Sequence, residues 1–443
     1  MKKSLVALAT LAAATGAMAQ VTISGYFGGS YDSYSVTNVN AARTGNTSEN
    51  RVSDQASRIL FNVNEDLGGG MTAVGQVDFR FNLDQTQRLS TEVSPSATGV
   101  SASAGVAKYA GSAVVNPLSG GNNHVGLRFK DAGTLRLGRQ DVYYVDTASL
   151  LPGGMFTGAN PQPVFHALAT ANASRTPNLI WFTSNRVNGL EATVAYSTNP
   201  LRTSGTMEVE NDMGPTAAKR KGSGTFLRLN YVNGPLDATV AVLDFKSDFS
   251  GGANYIAAGT TALPTAYQAN GTGADAAGNA DQKGTTIVLK YQVSPELRVA
   301  YARSDEKQIR TASPSATFGN GDALGNPYVP AGGAGTEQKA KADGLGLHYK
   351  MGANNFYYNY AKRGNFSYNG AEAAQTGAKI NTIAYSYDLS KNTSVGVMVT
   401  SLASQANAAT LPFYQSNNAF GGNTPAFAGE THKITSFALR QNF

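Results

Sequence analysis

The stretch GQVDFRFNL, residues 75–83, alternates without a break. Val77, Phe79, Phe81 and Leu83 fall on one side of an extended chain, and Gln76, Asp78, Arg80 and Asn82 fall on the other. Successive side chains of a strand point to opposite faces, so this segment is a strand with one apolar and one charged face. The same period of two recurs along the chain. Ile59, Phe61 and Val63 share a face opposite Arg58, and Val125, Leu127 and Phe129 oppose His124, Arg128 and Lys130. Leu227, Leu229 and Tyr231, then Leu345, Leu347 and Tyr349, then Ile383, Tyr385 and Tyr387 repeat the pattern. Helical periodicity is hard to find.

The connectors alternate as well. Short ones such as VNGPL, VSPEL and KMGANN are separated by long stretches rich in Gly, Ala, Asn and Thr. These long stretches lie at roughly 35–55, 85–121, 141–174, 198–222, 249–283, 305–341, 364–378 and 402–430. Hairpins with short turns at one end and long loops at the other are the pattern of a transmembrane β-barrel. The cause is backbone satisfaction: a bilayer core offers no hydrogen-bond partners, so strands cross it only in a sheet that closes on itself. Strands then run apolar outward and polar inward. The prediction is an all-β, transmembrane antiparallel barrel of about 16 strands. A secreted β-sandwich also alternates. It would bury its apolar faces in one core, however, and rarely keeps a strict short/long loop asymmetry.

Bulk properties exclude other classes. The first residues, MKKSLVALATLAAATGAMAQ, combine two lysines, a short apolar run and a small-residue end at Ala19, the form of a cleaved secretory signal. Residues 1–19 are therefore read as leader and 20–443 as one barrel domain; removing the leader leaves 424 of the 443 residues and lowers the net charge from +6 to +4. That charge is too small to argue for nucleic acid. With no cysteine and four scattered histidines, neither a disulfide framework nor a metal site is indicated, and no cofactor is expected. Beyond the leader no apolar run reaches the length of a membrane helix.

The C-terminus, HKITSFALRQNF, alternates and stops on the aromatic Phe443. Taken with TISGYFGGSYDSY near the start, SRILFNVNEDLGGGMTAVGQVDF, GTLRLGRQ, PNLIWFTSNRVNGLEATVAYS and YDLSKNTSVGV, the chain resembles the general diffusion porins of Gram-negative outer membranes, in particular those of β-proteobacteria. The resemblance implies a sixteen-stranded barrel, a homotrimer, and a terminal Phe443 read by the barrel-assembly machinery. It implies partners in outer-membrane lipid and lipopolysaccharide, and small hydrophilic solutes and ions as cargo.

It also implies that the third external loop, about Asp141 to Thr170, folds back to narrow the pore. Arginines on neighbouring strands would face it: Arg58 from SRILF, Arg139 from LGRQ and Arg175 from SRTPNLI. Alternation agrees for Arg58. It agrees for Arg175 if Ile180 and Phe182 face lipid. Arg139 shares parity with Leu135 and Leu137 and requires a bend or bulge at Gly138 to turn inward. Many relatives carry an acid after the proline at the loop tip, whereas here Gly153 follows Pro152, leaving Asp141 and Asp146 to balance the ladder. Further bases with inward parity, among them Arg80, Arg128, Lys130, Arg228 and Arg440, outnumber acids such as Asp78 and Glu191. Fixed charge in a narrow passage sets the sign of the ion that passes, so an anion-preferring pore is expected.

Two rival readings are distinct in kind. A solute-specific channel could use Tyr143, Tyr144, Phe156 and Phe165 as an aromatic slide. A barrel hydrolase could assemble His166, Ser149 and Asp146, although no nucleophile motif fixes them together, and the chain is read as having no catalytic residues.

Overall fold

The computed structural model describes residues 20–40, 46–80, 83, 121–143, 155–157, 160–166, 176–198, 222–247, 280–310, 337–408 and 429–443. The predicted leader, residues 1–19, lies outside them. Among the described residues nineteen strands form one antiparallel sheet in chain order: β1 (Gln20–Thr37), β2 (Ser48–Asp54), β3 (Arg58–Gly68), β4 (Met71–Arg80), β5 (Asn123–Phe129), β6 (Gly133–Gln140), β7 (Thr176–Ser184), β8 (Leu190–Ser197), β9 (Gly222–Asn233) and β10 (Leu236–Ser247). The sheet continues through β11 (Ala280–Gln292), β12 (Leu297–Arg310), β13 (Glu337–Met351), β14 (Asn354–Arg363), β15 (Ser367–Tyr368), β16 (Ala371–Glu372), β17 (Ala378–Asp388), β18 (Thr393–Ser404) and β19 (Thr431–Asn442).

These strands close the barrel as sixteen staves, the number that the sequence predicts. β2 and β3 are one stave, because both pair with β1 and only Gln55–Ser57 interrupts them. β15 and β16 are a small hairpin beyond the end of β14, and β14 pairs directly with β17. Closure runs through β1 and β19, from Tyr26 opposite Asn442 to Thr37 opposite Thr431. The last residue completes this seam: Phe443 and Gly25 exchange backbone hydrogen bonds at 3.0 and 3.1 Å, and the Phe443 and Phe27 rings stand 5.1 Å apart. A closed sheet has no edge, which a bilayer demands.

The two faces separate as the sequence required. Val125, Ile383 and Phe437 are 61, 64 and 57 % exposed on the outer face, while Ala302, Ala361 and Ala438 are fully buried on the inner one. Near the short turns the outward residues are aromatic: Tyr231, Tyr291, Tyr349, Phe356 and Tyr387. At the other end several staves run further than the sequence suggested. β12 continues to Arg310 and β13 begins at Glu337, inside a stretch read as loop from 305 to 341. Polar residues above the apolar band blur the alternation, yet cross-strand pairing persists, Lys307 opposite Lys339 being one pair.

Candidate functional site

The inner face is not uniformly polar, and its apolar parts are where the third long loop lies. The loop leaves β6 and is held at three places. At the first, Val142 and Tyr143 join Leu179, Trp181, Phe226, Leu243 and Phe245 in a buried cluster on β7 to β10. At the second, Met155 and Phe156 pack with Met398, Ile380 and Leu402 on β17 and β18. At the third, a single-turn helix, α1 (Gln162–Phe165), sets Val164 and Phe165 against β12 to β14. The loop therefore crosses the bore, as the fold resemblance implied.

Each place has a notch in the wall. A methyl group added at Gly284 of β11 would lie 2.3 Å from the Tyr143 hydroxyl. One at Gly344 of β13 would lie 2.6 Å from the Phe165 ring, and one at Gly396 of β18 would lie 2.8 Å from the Phe156 ring. Real side-chain carbons do not approach so closely, so glycine at these points lets an aromatic ring touch the sheet. Polar ties complete the seating. Thr157 donates both its amide and its hydroxyl to Gln55 Oε1, at 2.8 and 2.9 Å. Gln55 is the buried residue that breaks the β2–β3 stave, and its own Nε2 donates to Ser30. Ser304 donates to the Phe165 carbonyl at 2.6 Å, and His166 Nδ1 meets Glu306 Oε1 at 2.9 Å with both side chains buried.

This placement removes support from both rival uses of loop residues. Tyr143, Phe156 and Phe165 are at most 1 % exposed, so they seat the loop and offer no slide to the bore. His166 is equally enclosed and is a loop anchor. Tyr144, Ser149 and Asp146 lie outside the described residues.

The charges form two groups. In the first, Arg58 opens β3 directly opposite Arg80 of β4. Asp78, 2 % exposed, accepts from Arg80 Nε and Nη2 at 3.0 and 2.8 Å and lies 3.9 Å from Arg58. The Tyr26 ring lies between two cations, with Arg440 3.7 Å and Arg58 5.1 Å from its centroid. Stacking on an aromatic face holds a guanidinium without neutralising it. In the second group, on β5 to β9, Arg228 and Arg186 lie 3.4 and 3.6 Å from Glu191. Arg128 and Arg136 share the inward parity of this wall, opposite the exposed Leu127, Leu135 and Leu137. Lys130 sits in the short turn after β5, at the mouth opposite the long loops.

Several expectations change here. Beside the expected acids Asp141 and Asp146, the second of which lies outside the described residues, the wall itself supplies one, Asp78, bonded to Arg80. It was legible as inward and was not connected to Arg58 and Arg80, because that connection depends on register. The Asp141 backbone amide donates to Asn122 Oδ1 at 3.1 Å. The irregularity expected at Gly138 is present, but the extra residue belongs to the neighbouring strand: Gly138 pairs with Leu179 and Gln140 with Thr176, and Asn178 has φ +53°. Gly138 itself has φ +144°, and a side-chain carbon there would lie 2.2 Å from the Asn123 carbonyl, so the position admits only glycine. Arg139 is half-buried opposite Asn123. Arg175 lies outside the described residues, and the bulge at Pro177–Asn178 breaks the parity count that turned it inward. Its place in the ladder rests on the motif alone.

A closed sixteen-stave barrel with an apolar outer band, an inward loop and a wall rich in arginine is a water-filled pore of the outer-membrane type. The family model described as Gram-negative porin matches residues 4–323. The chain belongs to that family and forms a diffusion channel spanning the outer membrane many times. Solved structures agree on the fold. The anion-selective porin from Comamonas acidovorans is 18 % identical, with a TM-score of 0.61 over 96 % of this chain and 100 % of that one. Salmonella typhi OmpF in complex with daunomycin is 13 % identical, with a TM-score of 0.55 over 97 % and 98 %. Vibrio cholerae OmpT in its trimer form is 11 % identical, with a TM-score of 0.53 over 96 % and 99 %. None of the curated protein sequences matches the chain.

Proposed function

We propose that this porin passes small hydrophilic solutes with a preference for anions, and that it works as a homotrimer. The observation that carries the preference is the group around Tyr26, where Arg58 and Arg440 stack on the ring, Arg80 stands opposite Arg58, and Asp78 pairs with Arg58 and Arg80. Arg58 and Arg80 keep 24 and 22 % of their side chains exposed while Asp78 keeps 2 %, so the charge these residues show the passage is positive, and partial desolvation strengthens it. The Comamonas acidovorans neighbour is described as anion-selective and the Vibrio cholerae neighbour as trimeric, and both descriptions accord with this reading. Arg139 and Arg175 extend the ladder along the loop, with Asp141 and Asp146 as its acids. Residues 1–19 are removed on export, and Phe443 serves as the assembly signal. The function is that of a channel, without a catalytic role.

The test is a reversal potential across a salt gradient. Replacing Arg58, Arg139 and Arg175 together by Gln moves it toward cations, and an unchanged potential sinks the ladder. Replacing Arg58, Arg80 and Arg440 instead shows which group dominates, the larger shift being expected for this second set.

A further inference from the structure

Asp78 has two arginines beside it and bonds to one of them. Arg58 and Arg80 lie directly opposite each other on β3 and β4, a placement in which like charges repel. Arg80 closes on Asp78 Oδ2 through Nε and Nη2, and the Asn122 amide donates to the same oxygen at 3.3 Å. Asp78 Oδ1 is buried and has no hydrogen-bond partner among the described residues. Arg58 nonetheless stays back, its Nη1 3.9 Å from Oδ2 and beyond hydrogen-bond reach. Its own hydrogen bond runs from Nε to the Ala56 carbonyl at 3.3 Å. A buried carboxylate oxygen left unused beside a guanidinium needs a cause.

The cause stands on the neighbouring strand. Tyr26 of β1 pairs with Arg58 on one side and with Asn442 of β19 on the other. Its ring centroid is 5.1 Å from the Arg58 guanidinium and 3.7 Å from that of Arg440. Arg440 can lean over the ring because the residue opposite it on β1 is Gly28, which has no side chain. It also donates from Nε to Asn442 Oδ1 at 2.9 Å, which ties it on the β19 side. Both stacking contacts are to the ring, and neither uses the hydroxyl. An aromatic face attracts a cation through its quadrupole and carries no net charge, so it holds a guanidinium and leaves its charge whole. Arg80 already offsets Asp78 and repels a second guanidinium there. The ring is therefore the better seat for Arg58 as long as it is present.

We propose that Tyr26 is a positioning residue for ion selectivity: it draws Arg58 away from Asp78 and keeps that charge available to ions in the bore. An uncharged side chain thereby sets how much of a fixed number of arginines an ion meets. Without the ring, Arg58 falls back on the open oxygen of Asp78, and a charge-assisted pair masks it. This role rests on the reading of the Tyr26 group as the source of the anion preference.

Reversal potentials of single channels in a salt gradient test it. Tyr26→Leu exchanges one uncharged residue for another, yet should move the potential toward cations. The expected shift is about half that of Arg58→Gln, because pairing masks a fixed charge without deleting it. Tyr26→Ile, apolar and a good strand former, repeats the arm should the leucine variant fail to insert. Tyr26→Phe restores the ring and with it the wild-type potential. In an Asp78→Asn background, Tyr26→Leu should add almost no further shift, since the carboxylate that captures Arg58 is gone. An unchanged potential in Tyr26→Leu, while Arg58→Gln shifts it, overturns the tyrosine's role alone. A phenylalanine variant that behaves like the leucine variant overturns it too, by moving the effect to the hydroxyl. So does a full shift in the Asp78→Asn background, which would make Tyr26 a matter of bore width. An unmoved potential when Arg58, Arg80 and Arg440 are all Gln is a different failure: the anion reading falls, and the tyrosine's role falls with it.

Discussion

Replacing Phe156 and Phe165 together by Ala should turn a steady single-channel current into a noisy one with a higher mean. Both rings are buried, one against Gly396 and one against Gly344, and they are the rings that seat the far part of the loop. Emptying a buried Phe site costs about 3–5 kcal/mol per ring. A loop pays conformational entropy to stay ordered, so losing that packing weakens its hold on the far wall, where the Gln55, Ser304 and Glu306 ties remain. The barrel survives, because neither ring belongs to a stave and the ladders are untouched. Far-UV circular dichroism and the heat-induced shift in electrophoretic mobility should therefore match the wild type. A quiet, unchanged conductance would mean that the notches do not hold the loop.

The notches allow a reciprocal check. Gly284→Val should disturb the loop from the wall side, since the three atoms nearest to an added carbon all belong to Tyr143. Combining it with Tyr143→Ala removes the clash and should recover much of the wild-type current. Two neutral-sized effects that fail to couple would break the pairing of ring and notch. His166→Ala should also disturb the channel current. It removes one partner of the buried Glu306, so a changed current in this variant does not report catalysis.

The barrel was legible because its cause acts locally and everywhere. Each stave repeats the same alternation, each hairpin repeats the loop asymmetry, and GQVDFRFNL carries both faces in nine residues. The loop's seating was not legible, for two physical reasons. Alternation assigns apolar residues to lipid, yet Leu179, Trp181, Phe226 and Leu243 are apolar and face inward under the loop. Their parity relative to Ile180, Leu227 and Val242 was available, but only the loop's path explains why the inner wall is apolar there. The notches are single glycines in strands, indistinguishable in sequence from glycines with other roles. Gln55 sits at the break between β3, which alternation reads as a strand, and β2, which falls inside the stretch read as loop from 35 to 55. Arg136, between the lipid-facing Leu135 and Leu137, has the inward parity, whereas the bulge at Asn178 makes counting beyond it unsafe.

The arginine ladder was half legible, and its missing half decides the second large effect. Asp78→Asn should move the reversal potential further toward anions, by at least as much as neutralising Arg58 alone moves it the other way. The carboxylate is 2 % exposed and bonded to Arg80, while Arg58 and Arg80 keep 24 and 22 % of their side chains exposed. Removing the acid therefore unmasks charge that water and ions already reach, whereas the acid itself is out of their reach. An Asn side chain keeps the shape and one acceptor for Arg80, so the wall should hold. The buried-pair penalty of about 3–5 kcal/mol is an upper bound when the surviving partner can hydrate. Asp141→Asn is the matched control, since the loop acids were the ones that sequence alone put opposite the arginines. A larger shift from Asp141→Asn than from Asp78→Asn would return the counter-charge to the loop. The reverse order places it on the wall, where an acid two residues from Arg80 on the same strand sets how much of the ladder an entering anion feels.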